Sequence, residues 1–323
     1  MAKLDTVDVD LLMKLQYEFP LTPTPIADVA GDIGVSVEEA LNRLSRLKAE
    51  GILKRIGFYL NFRATGLVGA LVAFSSGGDP DRLASVLNPD PMVSHNFLRS
   101  HPVYDVWAVI KARSRDELLS KVEHVARAAG VSDYVVLFSR RTLKLSVKYD
   151  LREGISRAGP WSRVADNPPR PEDLGIPPSL PRELRILPLE ERPYASLASK
   201  YGLTEEEVVS LAKEMLHKGI LGDPGAALDG YKVGFKVNGM TVVAGEDIEG
   251  LCDRIAESVP EATHVVLREP HPPGAWRHNC YFMVHAMDKR VLEDRVEARL
   301  SAIGVVDYMI IYSLRDLKPG VVR

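Results

Sequence analysis

Two short segments of this 323-residue chain set a histidine and an arginine four positions apart in strand-like sequence: His95 and Arg99 in SHNFLR, His264 and Arg268 in THVVLR. Extended backbone alternates its side chains between two faces, so residues four apart share one. Imidazole exchanges protons near neutral pH, while a guanidinium stays charged and grips carboxylates through paired donors. Together they suit proton transfer beside a bound anion. Six of the eight histidines fall in the windows 95–101 and 264–285, among them His101 and His285; His124 and His217 sit on expected helix surfaces and read as structural. A single strand histidine is usually a hydrogen-bonded, half-buried residue. Recurrence at matched positions, each with its arginine, argues instead for a shared chemical role. The spacing 264, 271, 278, 285 fits no HxH or HExxH pattern, and Pro272–Pro273 break any helix between them, so no dedicated metal site is expected.

The neighbours on that face are of one kind. His95, Phe97, Arg99 and His101 share parity, against Asn96 and Leu98. On the following strand Val106, Ala108 and Ile110 suit packing on helices, leaving Asp105, Trp107, Val109 and Lys111 opposite. In the later segment Val265, Leu267, Cys280, Phe282 and Val284 form the apolar set. His264, Val266, Arg268, Asn279, Tyr281, Met283 and His285 face the other way. A face rich in His, Arg and aromatic residues is a poor solvent surface and a poor core. It is a good lining for a large, flat, anionic ligand.

The elements that carry these residues occur twice. GVSDYVVLFSRRTLKLSVKY (Gly130–Tyr149) returns as GVVDYMIIYSLRDLKPGVVR (Gly304–Arg323), with Asp133/Asp307, Tyr134/Tyr308, Arg141/Arg315 and Lys144/Lys318 identical. Farther upstream, IADVAGDIGVSVEEALNRLSRLKAEGIL matches YASLASKYGLTEEEVVSLAKEMLHKGIL. Each copy begins with a helix-turn-helix: in the first, helices at 8–18, 25–30 and 37–50, the last capped by Ser36 and ended by Gly51, then a β wing in ILKRIGFYLNF. In the second, Thr204 caps the corresponding helix. Each copy then reads β-α-β-β-α-β, the ferredoxin-like order with both helices on one side of an antiparallel sheet. The expected fold class is therefore α+β: a tandem repeat of winged helix-turn-helix plus ferredoxin-like domain, the sheets of the two copies facing each other. The boundaries expected are 1–61 and 62–149 for copy one, a Pro-rich, ordered-to-extended linker at 150–181, and 182–230 and 231–323 for copy two. Such a chain carries its own pseudo-dimer, with association into a homo-oligomer left open.

Composition narrows the classes. A hydrophobic content of 46% supports real cores, and a net charge of −3 lacks the electrostatic footprint of a nucleic-acid binder. Cys252 and Cys280 suggest no disulfide framework and are too few for a structural zinc site. No apolar run reaches the ~18 residues needed to cross a bilayer, and MAKLDTVDVDLL is no signal peptide. A soluble, cytoplasmic protein with no membrane partner is expected.

Helix-turn-helix followed by ferredoxin-like domain resembles the leucine-responsive regulator (Lrp/AsnC) architecture across both copies. Within it, VSHNFLRSHPVYDVWAVI and ATHVVLREPHPPGAWRHNCYFMVHAM resemble the two subunit types of siroheme decarboxylase, here fused in one chain. The family segments run S-H-N-x-x-R…Y-N-x-W and S-H-x-x-x-R…W-P-Y-N-x-x-x-M-x-H. This chain departs at Asp105 (Asn in the family), Arg277 (Pro) and His278 (Tyr). The resemblance implies removal of CO2 from two acetate arms of siroheme to give 12,18-didecarboxysiroheme, in heme or heme d1 biosynthesis. It implies His95 and His264 as proton donors and Arg99 and Arg268 as carboxylate clamps. His101 and His285 stand second on the same faces, for proton delivery or iron ligation, and Trp107, Trp276, Asn279, Tyr281 and Met283 line the ring. The iron enters with the substrate, and no separate cofactor is expected. The alternative is an Lrp/AsnC-type DNA-binding regulator sensing a small molecule or heme. Charge weighs against it: Glu205, Glu206 and Glu207 open the second recognition helix and Glu38 and Glu39 the first, where they would repel phosphate.

Overall fold

The computed structural model describes residues 4–319. Met1–Lys3, at the head of the segment judged not to be a signal peptide, and Gly320–Arg323, at the end of the second repeat, lie outside the described residues. The chain divides into two compact units. One holds residues 4–65, Lys144–Lys236 and His285–Val291, the other Gly66–Leu143, Val237–Val284 and residues 292–319. Both helix-turn-helix segments thus belong to one unit and both ferredoxin-like segments to the other.

In the first unit, α1 (Thr6–Tyr17), α2 (Pro25–Asp32) and α3 (Val37–Ala49) lead into β1 (Leu53–Leu60). The predicted Ser36 cap is present: its Oγ accepts from the Glu39 amide at 3.1 Å. The second copy's helices, α7 (Ala195–Tyr201) and α8 (Glu205–His217), lead into β8 (Leu221–Leu228). Thr204 and Glu207 form a reciprocal capping box at the start of α8. The expected wing is not closed within either copy. β1 pairs antiparallel with β8, one strand from each, with Ile56 opposite Ala226 and Leu60 opposite Leu221. Gly57 stands opposite Gly225. Both have positive φ, and a Cβ at Gly57 would meet the Arg185 carbonyl oxygen at 2.4 Å, one at Gly225 the Leu15 carbonyl at 2.1 Å. Only glycine at both positions lets this pair lie so close to its neighbours.

The Pro-rich segment is less of a spacer than its composition suggests. It contains two short strands, β6 (Tyr149–Asp150) and β7 (Ile155–Ser156), and one helical turn, α6 (Leu180–Glu183). Ile176, Leu180 and Leu184 are buried in one core with Leu11, Leu44 and Phe58 of copy one and Tyr194, Met215 and Ile220 of copy two. Widely spaced apolar residues, and not periodicity, anchor the segment, so composition alone reads it as extended.

The second unit contains both sheets. Copy one supplies β2 (Val68–Phe74), α4 (Pro80–Leu87), β3 (Val93–Arg99), β4 (Val106–Ala112), α5 (Arg115–Ala129) and most of β5 (Tyr134–Leu145). Copy two supplies β9 (Val237–Ala244), α9 (Ile248–Ser258), β10 (His264–His271), most of β11 (Cys280–Ala286), most of α10 (Lys289–Ala302) and β12 (Asp307–Asp316). The strands run β10-β5-β2-β4-β3-β12-β9-β11, and β11 pairs again with β10. Two four-stranded ferredoxin-like sheets are therefore joined at both edges into a closed ring, which leaves no open edge between them. Helix-facing residues follow the predicted parity: Val106, Ala108 and Ile110 pack with Leu83, Leu87, Leu118 and Val122 of α4 and α5. The opposite faces meet: Leu71, Trp107, Val135 and Leu137 of copy one share a cluster with Met240, Val242, Tyr281 and Ile311 of copy two.

The cysteine expectation is corrected. Cys252 on α9 and Cys280 on β11 form a disulfide. The parity of β11 places Cys280 on the side its helices cover, and α9 carries Cys252 there; a lone pair 28 residues apart gave no framework signal. Among the described residues, no helix is long and apolar enough to cross a membrane.

Candidate functional site

The copy-two wall is built by the β10–β11 pair. His264 stands opposite Met283 and Val266 opposite Tyr281, and the Arg268 amide donates to the Asn279 carbonyl at 2.7 Å. Cross-strand register therefore puts His264, Arg268, Tyr281 and Met283 on one face. The Arg268 guanidinium lies over the Tyr281 ring, 5.0 Å from its centroid. Its Nη1 donates to the Leu137 carbonyl (3.3 Å) and the Ser139 hydroxyl (3.2 Å) of β5. Its Nε has no partner, and the Asn279 Oδ1 is also unsatisfied. Burial lowers the Arg268 pKa to about 10, so it stays cationic at neutral pH. The Tyr281 hydroxyl is pushed upward by burial and stays protonated; it lies near the Trp276 indole, yet neither polar atom makes a well-formed hydrogen bond. Buried orphan donors and acceptors cost about 1–3 kcal/mol each, which a polar ligand would recover.

His264 is half-buried, and its Nδ1 lies 3.2 Å from the Thr263 hydroxyl. That hydroxyl donates to the Met283 carbonyl at 3.2 Å, so the ring must supply the proton and Nδ1–H is the donor. The Nε2 atom then carries a lone pair. Burial first, and the Arg268 charge second, pull the His264 pKa down to about 4.

The copy-one wall repeats the plan. His95 Nδ1 lies 3.1 Å from the Ser94 hydroxyl, the counterpart of the Thr263 contact. The His95 and Phe97 ring centroids are 6.3 Å apart, and the buried Arg99 guanidinium lies 5.2 Å from the Phe97 ring centre. Phe97 stands opposite Trp107. Trp107 is buried, with its indole N–H donating to the Tyr104 carbonyl at 2.7 Å.

His101 joins an aromatic nest: its ring centroid lies 5.6 Å from Tyr104, 6.1 Å from Trp107 and 5.5 Å from Trp276. Its Nδ1 accepts from the Val103 and Tyr104 amides at 3.2 and 2.9 Å. Two backbone donors on Nδ1 leave the ring proton on Nε2, a tautomer suited to hydrogen-bond donation and not to iron ligation through that atom. Burial and the nearby His278 lower its pKa, which keeps it neutral.

Further along β11, the His285 ring lies 5.6 Å from Tyr149 and its amide donates to the Ser156 hydroxyl. Asp105, in the family's Asn position, accepts from the Ser76 amide and hydroxyl at 2.8 and 2.5 Å and so ties down the start of β4.

Sequence reasoning passed over a pair of contacts that the repeat had marked. Asp133 accepts from the Tyr104 hydroxyl at 3.1 Å, and Asp307, its repeat counterpart, lies 3.0 Å from His278 Nε2 and also binds Arg277. The signal was the identity of Asp133 and Asp307 in otherwise varied surroundings.

Comparison with known proteins matches the same two-copy plan. The model of the AsnC-like ligand-binding domain covers residues 64–144 and 232–318, and that of the siroheme decarboxylase NirDL-like HTH domain covers residues 8–53 and 185–221. The alpha subunit of siroheme decarboxylase from Desulfovibrio desulfuricans is 33% identical over 132 residues, which are 41% of this chain and 76% of that one. The chain belongs to the siroheme decarboxylase family, in a fused two-copy form. A full-length relative, siroheme decarboxylase from Hydrogenobacter thermophilus, is 25% identical across 96% of this chain and 93% of its own. A crystal structure of the siroheme decarboxylase NirDL in co-complex with an iron-uroporphyrin III analogue shares the fold, with a TM-score of 0.63 and 23% identity over 96% of this chain and 91% of that one.

Proposed function

We propose that this chain is a siroheme decarboxylase that removes CO2 from two acetate side chains of siroheme, giving 12,18-didecarboxysiroheme for heme or heme d1 biosynthesis. The observation that carries the reading is the copy-two wall. A half-buried, cationic Arg268 with an unpaired Nε shares a face with His264 and Tyr281 beside unsatisfied polar atoms. That is a surface prepared for a flat polycarboxylate. The full-length relatives that bear the family name, and the iron-uroporphyrin III analogue held by the solved relative, fit it.

The roles follow from charge and proton position. Arg268 and Arg99 clamp ring carboxylates, each contact contributing roughly 1.5–3 kcal/mol. Trp107, Trp276, Tyr281 and Met283 flank the macrocycle. Loss of CO2 leaves an electron pair on the former acetate carbon, delocalised into the ring, and a proton must arrive there. His264 is neutral when alone; a carboxylate brought close favours its imidazolium, so substrate binding itself arms the donor. His95 is its copy-one counterpart. His101, with Nε2–H exposed to the nest, is placed for hydrogen bonding to a carboxylate. His285, two residues beyond Met283 on β11, stands second with His101 for proton delivery or iron ligation. The iron arrives with the substrate, and the chemistry calls for no separate cofactor. A cytoplasmic enzyme without a membrane partner fits the sequence.

Specific DNA binding lies outside the reading. On α3, the recognition helix of copy one, Arg43 pairs with Asp5, Asp8 and Glu39, and Arg46 with Asp8, all at 2.6–3.0 Å. These two cations of the recognition helix are already paired within the domain. The test of the function is alanine at His95, Arg99, His264 and Arg268, scored separately for siroheme absorbance and CO2 release. Histidine variants should bind and not turn over, and arginine variants should bind less well. Near wild-type decarboxylation by both H95A and H264A would place the site elsewhere.

A further inference from the structure

Two aspartates repeat at matched positions, Asp133 and Asp307, and each sits where its backbone is fixed. Asp133 directly precedes β5, and its carbonyl accepts from the Ser75 amide at 3.0 Å; Asp307 opens β12 opposite Ala244 of β9. From those strand starts both carboxylates reach the hairpin loop of their own copy. Asp133 accepts from the Tyr104 hydroxyl at 3.1 Å, in the loop between β3 and β4. Asp307 binds Arg277 and lies 3.0 Å from His278 Nε2, in the loop between β10 and β11.

What the loops carry inward is aromatic. From His271 to Arg277 every residue is exposed except Trp276, which is half-buried. Its ring lies 5.5 Å from His101, 5.8 Å from Tyr104 and 5.8 Å from Trp107, all of copy one. The two residues that follow Trp276 are the two that Asp307 holds, so the grip falls beside the indole. In copy one, Pro102 and Val103 are exposed, while Tyr104, held by Asp133, stacks on His101 at 5.6 Å with 28° between the ring planes. The two loops therefore meet ring to ring, each pinned from the start of its own last strand. Fixing a mobile side chain on binding costs affinity, and a loop already held in the free protein avoids that cost.

We propose that Asp133 and Asp307 are positioning residues that hold the two hairpin loops so that His101 and Trp276 stand preset as one face for the tetrapyrrole. The inference rests on the decarboxylase reading above for the identity of that ligand; the preset nest itself belongs to the free protein. Each carboxylate acts through its loop: Asp307 through Arg277 and His278 on Trp276, Asp133 through Tyr104 on His101. Their removal should loosen binding. It should leave the chemistry of His95, Arg99, His264 and Arg268, which stand on β3 and β10, at its usual rate.

Two readouts test it. In the free protein, acrylamide quenching of tryptophan emission should rise in D307A, and a W276F background should abolish that rise, since Trp107 is buried and Trp161 belongs to the other compact unit. With siroheme, D307A and D133A should bind ~3–10-fold more weakly by absorbance titration, with CO2 release at saturation within about twofold of wild type. D307N keeps an oxygen that accepts from His278 and should recover most of the loss. R277A/H278A removes the same two contacts from the loop side and should reproduce the loss of D307A. Added to W276A, D307A should weaken binding no further, because it acts through that indole. Unchanged quenching in D307A, siroheme binding by D307A within about twofold of wild type, or full additivity with W276A overturns the proposal. So does a fall of about tenfold in CO2 release at saturation, which would place the carboxylate in the chemistry. If quenching rises as expected and wild type releases no CO2, the positioning stands and the decarboxylase reading fails.

Discussion

The two halves of the ligand-facing unit share a frame and differ in what stands at its corners. Copy one sets Arg99 over a phenyl ring and ties Tyr104 to Asp133; copy two sets Arg268 over the Tyr281 phenol and ties His278 to Asp307. Buried polar atoms without partners occur in copy two at Arg268, Trp276, Asn279 and Tyr281, and in copy one at Asn96. Duplication supplies two equivalent walls, and once they are joined in one chain each is free to change separately. The difference is that copy two sets an imidazole, and copy one a phenol, against the matching aspartate.

That asymmetry can be broken in stages. The largest effect is expected from H264A: turnover should fall ~10²–10⁴-fold with siroheme binding nearly intact, and H95A should cost less. Equal losses at both positions would show two working pockets. Next in size is W107A, which empties a fully buried site in the cluster where the faces meet. It should destabilise the fold by about 3–5 kcal/mol in denaturant unfolding, and siroheme binding should fail with it. R268A follows, with siroheme bound ~10–100-fold more weakly by absorbance titration, from the roughly 1.5–3 kcal/mol of a charged hydrogen bond. R99A should weaken binding too, and a larger loss there would move the principal clamp to copy one.

A smaller effect concerns acid. The folded His264 pKa, about 4, lies below the ~6.5 of a free imidazole, so the unfolded chain binds the extra proton between these values. Its contribution is therefore fully present above pH 6.5 and is lost as pH falls towards 4, by on the order of 2 kcal/mol. Urea unfolding of H264Q should show a shallower loss than wild type across that window. The smallest signal is expected from the helix-turn-helix: no specific duplex shift near 150 mM salt, given that Arg43 and Arg46 are held by Asp5, Asp8 and Glu39.

Much of this was legible in the sequence because β-strand parity is a strict rule wherever a strand stays in one sheet. It placed His264 with Arg268 and sent Val106, Ala108 and Ile110 towards the helices, and it put Cys280 on the side where Cys252 waits. The disulfide was missed because two cysteines far apart in sequence carry no pattern until the helix is laid on its strand. The wings were read as local, yet β1 finds its partner in the other copy, since backbone pairing leaves no mark in side-chain periodicity. Asp133 and Asp307 were visible as identities and silent as to role; only the side chains they hold reveal it.

The most direct measurement is anaerobic incubation of the purified chain with siroheme, followed by mass spectrometry of the released tetrapyrrole. The account predicts loss of the mass of two CO2, abolished in H264A while siroheme still binds. Siroheme bound and returned unchanged by the wild-type chain would contradict it.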